Sequence, residues 1–344
     1  MSAITDVPQQ VIEAYRLEPD SIEPIPGGLI NRSYYARGED GREYVLQRVN
    51  PVFPPPVNDD IDAVTRHLSA KGLTTPRIVP TRQGANCVVI GEHAWRVLTR
   101  IEGVTSFVLG SDAEASEAGR VVGEFHRSLA DLDIEFSATR PGVHDLKRHL
   151  GVLRQALQDH PAHAAAKQVE PIAARIFEIA ARLEPIPNLP PRIVHGDLKI
   201  SNVIFAGGRA VCLIDLDTVA RMPIAFELGD ALRSWCNTSG EDSASAKFDL
   251  GRFEASLAGY RHGAGDLLWP EEWRALPNAT LMISTELAAR FAADALNERY
   301  FGWDPAKFES RSLHNVTRAA GQLALAGEIE VSLEALQKVI MTLM

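Results

Sequence analysis

The stretch IVHGDLKISNVIFAGGRAVCLIDLDT, from Ile193 to Thr218, constrains the chain more than any other. It sets His195, Asp197, Lys199, Asn202, Asp215 and Asp217 among Val, Ile, Leu and Phe, the residues that favour strands. Gly207–Gly208 is a two-residue hairpin signal, so NVIFA and AVCLID read as an antiparallel pair. Pairing across that turn brings Asn202, at the start of the first strand, beside Asp215, at the end of the second. The loop HGDLKIS feeds the same end. One edge of the hairpin then presents Asp197, Asn202 and Asp215, a hard-oxygen set that suits Mg²⁺ with one carboxylate left over. The plainer alternative is that these Asp and Asn residues only cap turns, where both are favoured.

Around this stretch the chain divides in two. From Ile22 to Ile101 the runs SIEPIP, NRSYYAR, EYVLQRVN, NCVVI and AWRVLTRI read as strands separated by Gly-bearing turns, which implies antiparallel neighbours. Between the third and fourth, VNDDIDAVTRHLSAKG has helical spacing at Ile61, Val64 and Leu68, with Asn58 at a plausible N-cap and a Gly at the end. After Gly103, DAEASEAGRVVGEFHRSLADL and PAHAAAKQVEPIAARIFEIAARL are helical, and helices resume from about Phe226. The expectation is an α+β chain: residues 1–102 an antiparallel sheet with one helix, residues 103–344 a larger and mainly helical lobe. A length of 344 residues with 45% hydrophobic and 23% charged composition supports two packed units and leaves no room for a long disordered region.

The formal net charge of -10 argues against nucleic-acid or anionic-membrane partners, which need a dominant basic surface. Cys87, Cys212 and Cys236 have no CxxC spacing, which fits a reducing cytoplasm. The N-terminus lacks the basic and apolar regions of a signal peptide, and no run reaches the ~18 apolar residues of a membrane helix.

Phosphoryl transfer requires a carboxylate to receive the proton of the attacking hydroxyl, an Asn and an Asp to hold Mg²⁺ on the phosphates, and a lobe that covers the nucleotide. HGDLKISN followed by the strand-terminal IDLD supplies the first two, and here the chain resembles the aminoglycoside phosphotransferase/choline kinase superfamily, small-molecule relatives of protein kinases. The resemblance implies a protein-kinase-like two-lobed fold that uses ATP and Mg²⁺. It implies Asp197 as the base, Asn202 and Asp215 as metal ligands, Lys199 steadying the transferred group and Asp217 as an auxiliary to the metal. His195 would brace the loop by hydrogen bonding, and Asp230 would either bond the catalytic loop or serve as an N-cap.

A narrower similarity rests on GGLINRSYY, YVLQRVN, IVPT, AWRVLTRIEG, IDLDT, GDALR, and RFAADAL with a following RYF. These look like the N-acetylhexosamine 1-kinases, over about residues 20 to 325, and imply ATP-dependent phosphorylation of the anomeric hydroxyl of N-acetylglucosamine or N-acetylgalactosamine. On that likeness Gly27 and Gly28 form a nucleotide-covering turn, a plain hairpin turn being the alternative. Gln47 aligns with the usual strand-three cation and Arg48 lies beside it; strand alternation lets only one of them meet the phosphates. Asp62 would be the helix partner of that cation, or else a solvated helix residue. The backbone of Arg100, Ile101 and Glu102 would pair with adenine. Asn31, Arg290 and Tyr300, with Asp197, would bind the sugar, although Leu29 stands where the family has a His. Glu286, Arg290 and Asp294 share a helix face, so an exposed charge ladder is the alternative there. Rival readings are an aminoglycoside, choline or homoserine kinase, and a silent nucleotide-binding scaffold; Asp197, Asn202 and Asp215 together argue against the last.

Overall fold

The computed structural model describes residues 6–26, 30–137 and 142–344. The first lobe opens with a short helix that the strand-rich reading above does not include, α1 (Gln9–Tyr15). The alternating patterns then give β1 (Glu23–Ile25), β2 (Arg32–Arg37) and β3 (Glu43–Arg48), followed by α2 (Val57–Ala70), β4 (Ile78–Val79), β5 (Val88–Ile90) and β6 (His93–Thr99). They form one antiparallel sheet in the order β1-β2-β3-β6-β4, with β5 also on β6. One face is sealed by α1, whose Val11, Ile12 and Tyr15 pack with Tyr34, Leu46, Trp95 and Val97. That burial fixes which side chains of β3 and β6 remain for the other face.

Asn58 is not the cap of α2. Pro56 holds that position without a side-chain cap, and Asn58 lies buried in the first turn. The run Pro54–Pro56 limits the backbone to a helix-compatible φ, and its carbonyls accept the N–H groups of Val57, Asn58 and Asp59 at 3.0–3.1 Å, so a polar cap is not required at the entry.

The second lobe contains α3 (Asp112–Leu129), α4 (Leu146–Asp159), α5 (Ala166–Arg182), β7 (Pro191–Val194), β8 (Val203–Ala206), β9 (Arg209–Leu213) and β10 (Ala220–Pro223). Four helices follow: α6 (Ile224–Trp235), α7 (Leu250–Ala264), α8 (Pro270–Asn297) and α9 (Arg311–Leu343). Backbone meets backbone where α3 crosses α7: a Cβ on Gly119 would stand 1.9 Å from the Ser256 carbonyl oxygen. The expected β8–β9 hairpin forms across Gly207 and Gly208, at φ 58° and 79°. Pairing of β10 with β7 is absent from the sequence reading, and it closes the base of the loop between them.

The expected junction of the lobes, Arg100–Gly103, runs from β6 to Val104, which exchanges backbone hydrogen bonds of 2.9 and 2.8 Å with Phe205 on β8. The hairpin that carries the acidic residues is thereby tied to the first lobe. No helix among the described residues is long and apolar enough to cross a membrane.

Candidate active site

Between β7 and β8 the loop His195–Asn202 is held from both sides. His195 is fully buried; its Nε2 donates to the Ile214 carbonyl at 2.8 Å and its Nδ1 accepts the Asp197 N–H at 3.3 Å. A single neutral tautomer satisfies both bonds, so His195 is a brace and has no free nitrogen for chemistry. Gly196 turns at φ 83°, where a Cβ would lie 2.3 Å from the Thr218 carbonyl oxygen. Its N–H donates to Glu227 at 2.5 Å, and the Trp235 indole donates to the Leu198 carbonyl at 2.7 Å. Glu227 is itself bonded to His126, which meets the Tyr260 hydroxyl at 3.0 Å. The loop contact expected of Asp230 is thus made by Glu227, one turn nearer the start of α6. Asp230 is mid-helix, not an N-cap, and pairs with Arg233 at 2.7 Å.

Within the loop, Lys199 Nζ is 2.7 Å from Asp197 Oδ2, and the Asn202 amide donates to the Asp197 carbonyl at 2.8 Å and to Oδ2 at 3.3 Å. The Ile214 N–H donates to the Asn202 carbonyl at 2.9 Å, which brings Asp215 alongside. Asp215 is left-handed at φ 65° and ψ 56°, a conformation costly for a residue with a Cβ. Burial and the charges of Asp217 and Asp197 push its carboxyl up to about 6, against the pull of Lys199 and Arg96. Burial alone would lower the Lys199 ammonium, but Asp197 and Asp215 outweigh it and hold it above its ordinary value.

This surplus of negative charge, with the Asn202 amide oxygen not used by those bonds, fits a divalent cation. Among the described residues no three His, Cys, Asp or Glu side chains converge on one point. A cation at Asp215 and Asn202 would therefore complete its shell with water and phosphate oxygens, as Mg²⁺ commonly does. The strain has a measurable consequence. Because folding raises the Asp215 pKa, the native state disfavours the ionised form: this group costs nothing below pH ~4, and the cost grows as pH rises through about 6. Asp215→Asn is expected to stabilise the metal-free protein by on the order of 1–2 kcal/mol at pH 8 and not at pH 4. Urea unfolding at the two pH values checks this; equal effects would mean that Asp215 is not under electrostatic strain.

The two strand-three candidates separate as alternation requires. Arg48 takes the α1 side and lies 3.4 Å from Asp6, which also binds Arg32 and Tyr34. Gln47 takes the opposite side, donating to Ser33 at 3.1 Å and accepting from Arg96 Nε at 2.9 Å. Arg96 stands directly across from Gln47 in the β3–β6 register and forms a salt bridge with Asp217, both side chains 1% exposed. Asn31 donates to the other Asp217 oxygen at 2.6 Å. Both Asp217 oxygens thereby accept bonds from the first lobe, and this carboxylate holds the two lobes together. Asp62 bonds Arg66 on its own helix at 3.0 Å; Asn58, one turn earlier, is the α2 residue that meets Arg96, at 3.4 Å. Arg96 escapes the sequence reading, although a lone Arg among Ala94, Trp95 and Val97 in a buried strand was its trace.

At the junction, Arg100 pairs with Glu43 at 2.8 Å and lies 4.5 Å over the Tyr35 ring. Gly27 and Gly28, with Leu29, lie outside the described residues. Asn31, expected at the sugar, has its amide engaged by Asp217 and by the Asn50 N–H at 2.9 Å.

On α8, Glu286 and Asp294 are buried, so the exposed charge ladder does not exist: the helix is packed by α4, α5, α6 and α9. Asp294 accepts the N–H groups of Arg299, Tyr300 and Phe301 at 2.8–2.9 Å and fixes the segment that carries Tyr300. The Arg290 guanidinium lies 5.8 Å from the Tyr300 ring centroid and 5.5 Å from that of Phe301. Burial would raise the Asp230 carboxyl, but Arg233, His144 and Arg290 outweigh it and hold it below its ordinary value. Helix α6 therefore links the loop around Asp197, through Glu227 and Trp235, to the Arg290 cluster through Asp230.

Known proteins are similar to this chain in sequence and in fold. The profile of the phosphotransferase enzyme family (APH) matches residues 21–276. A homoserine kinase of Methylobacterium sp. (strain 4-46) is 26% identical over 287 residues, covering 80% of this chain and 83% of the relative. The homoserine kinase of Granulibacter bethesdensis is 26% identical over 318 residues, covering 88% and 89%. In fold, an aminoglycoside phosphotransferase from Alicyclobacillus acidocaldarius aligns with a TM-score of 0.64 at 18% identity, covering 99% of this chain and 98% of the other. Amicoumacin kinase, solved with AMP-PNP and Ca²⁺, aligns at 0.62 and 15% identity, covering 94% and 92%. The narrower likeness to N-acetylhexosamine 1-kinases has no counterpart among these relatives. With the profile spanning most of its length and the kinase-like lobes in place, the chain belongs to the phosphotransferase enzyme family and is an ATP-dependent small-molecule kinase.

Proposed function

We propose that the chain transfers the γ-phosphoryl group of ATP to a hydroxyl of a small polar acceptor bound between the catalytic loop and α8. The observation that carries this is the gathering of Asp197, Lys199, Asn202 and Asp215 at one hairpin end. Asp197 receives the proton of the attacking hydroxyl, oriented by its bonds to Lys199 and Asn202. Asn202 and Asp215 hold Mg²⁺, which when bound neutralises phosphate charge. Lys199 steadies the transferred group, Gln47 faces the nucleotide with Arg96 behind it as the nearby fixed cation, and the backbone of Arg100 to Glu102 meets adenine.

For the acceptor, the relatives named above favour an amino-acid alcohol such as homoserine. The second reading, an N-acetylhexosamine phosphorylated at its anomeric hydroxyl, is favoured by the aromatic wall of Tyr300 and Phe301 beside Arg290, a surface suited to a sugar ring. An assay of Mg²⁺-dependent ATP consumption with L-homoserine, N-acetylglucosamine, N-acetylgalactosamine, choline and kanamycin tests both. Phosphorus NMR of the product assigns the oxygen. A phosphate ester of homoserine supports the first reading and a sugar 1-phosphate the second; Mg-ATP binding without turnover of any alcohol would leave only a silent scaffold.

A further inference from the structure

Among the described residues, three buried carboxylates away from the acidic turn are fully bonded. Glu272 takes two bonds from Arg192 and the Trp269 N–H, Glu227 takes Gly196 and His126, and Asp294 takes three backbone N–H groups and Asn315. Glu286, 1% exposed, has no such set. Its Oε1 is surrounded at 3.5 Å by His144 Nδ1, at 3.7 Å by His149 Nε2 and at 3.7 Å by Arg290, all beyond good hydrogen-bond distance. Its Oε2 has no partner, and neither has His144 Nδ1. His149 spends its Nε2 on the Val143 carbonyl at 2.9 Å. A carboxylate stripped of water and left unbonded is expensive, and such a group asks for a reason.

We propose that Glu286 and Arg290 form a two-signed clamp for a nitrogen of the acceptor and the carbonyl or carboxylate oxygen next to it. The inference rests on the kinase reading above and names the chemistry its acceptor must carry. Glu286 Oε2 receives an N–H, and the Arg290 guanidinium gives its forked donors to the neighbouring oxygen. One turn of α8 separates the two residues, so their charged ends lie side by side. His144 and Arg290 stand beside Glu286, at 9% and 21% side-chain exposure, and a ligand that reaches Oε2 requires them to rotate aside. Asp230, whose carboxyl feels both His144 and Arg290, ties the clamp to the helix that braces the catalytic loop. Two sources share this chemistry: the ammonium and carboxylate of an amino acid, and the N–H and carbonyl of an acetamido sugar.

Two matched pairs of acceptors decide it: L-homoserine against 4-hydroxybutyrate, and N-acetylglucosamine against glucose. Wild type is expected to favour the nitrogen-bearing member of one pair by about 10²-fold or more in kcat/KM, as sites built to bond an N–H do. Glu286→Ala should cut that preference by about 10-fold or more, its loss falling on the nitrogen-bearing member far more than on the nitrogen-free one, with the KM for ATP unchanged. Glu286→Gln keeps an acceptor oxygen but loses the charge, so it retains part of the preference for an amide source and loses it for an ammonium source. Equal losses on both members, or none, would mean that Glu286 serves packing or a trapped water only, and would overturn the clamp. Turnover of choline or kanamycin alone would also overturn it, with the kinase reading intact. Calorimetric binding of a nitrogen-bearing member that depends on Glu286, without any phosphorylation, would uphold the clamp and sink the kinase reading. No turnover and no binding would end both.

Discussion

Asp197→Asn is expected to lower turnover by ~10²–10⁴, the range for loss of a general base, with Mg-ATP affinity and folding nearly unchanged. Asparagine has the same shape and keeps an oxygen for the Asn202 amide and the Lys199 ammonium, so the loop has no steric reason to move. What it lacks is the ability to take a proton. Steady-state kinetics on the acceptor that wild type phosphorylates best, with calorimetry of Mg-ATP binding, separates the two effects. If instead these residues only cap turns, turnover would stay at the wild-type level, and that result would remove Asp197 from the chemistry.

Arg96→Met is expected to cost ~3–5 kcal/mol of stability, the penalty for stranding one partner of a buried ion pair. Asn31 would still bond one Asp217 oxygen, but the charge would have lost its cation in a site from which water is almost fully excluded. Adding Asp217→Asn to Arg96→Met should recover much of the loss, because an amide can sit there uncharged. Urea unfolding of the two single variants and the double variant measures the coupling. A coupling below ~1 kcal/mol would show that water reaches Asp217 when Arg96 is absent, and that the pair is not what locks the first lobe onto the acidic turn.

These two expectations differ in where they were legible. Asp197 could be read directly, because hairpin closure is a short-range event: two glycines set the turn, and the pairing, shifted by one residue between Ile204 and Phe205, brings Asn202 to Asp215. The strand-three problem could be posed but not solved, since period-two alternation says that Gln47 and Arg48 part company without saying which face α1 will cover. The cation opposite Gln47 comes from β6, 49 residues away in the chain, and only the order of strands in the sheet makes them neighbours. The same limit applies to Asp217, whose partners Arg96 and Asn31 come from the first lobe, whereas Asp230 and Asp62 pair within their own helices, with Arg233 and Arg66.

The sequence by itself determined what local chemistry can determine: strands where side chains alternate, a hairpin where two glycines meet, a loop with its carboxylate and amide, and through these motifs the family. Tertiary structure alone decided which charges are neutralised and which are left wanting. Whether Glu286 is a solvated rung on a helix or a buried carboxylate without a bond depends on α4, α5, α6 and α9 closing around α8. Those contacts are set by packing between elements distant in sequence, and the cost of a charge is set by how much water that packing removes.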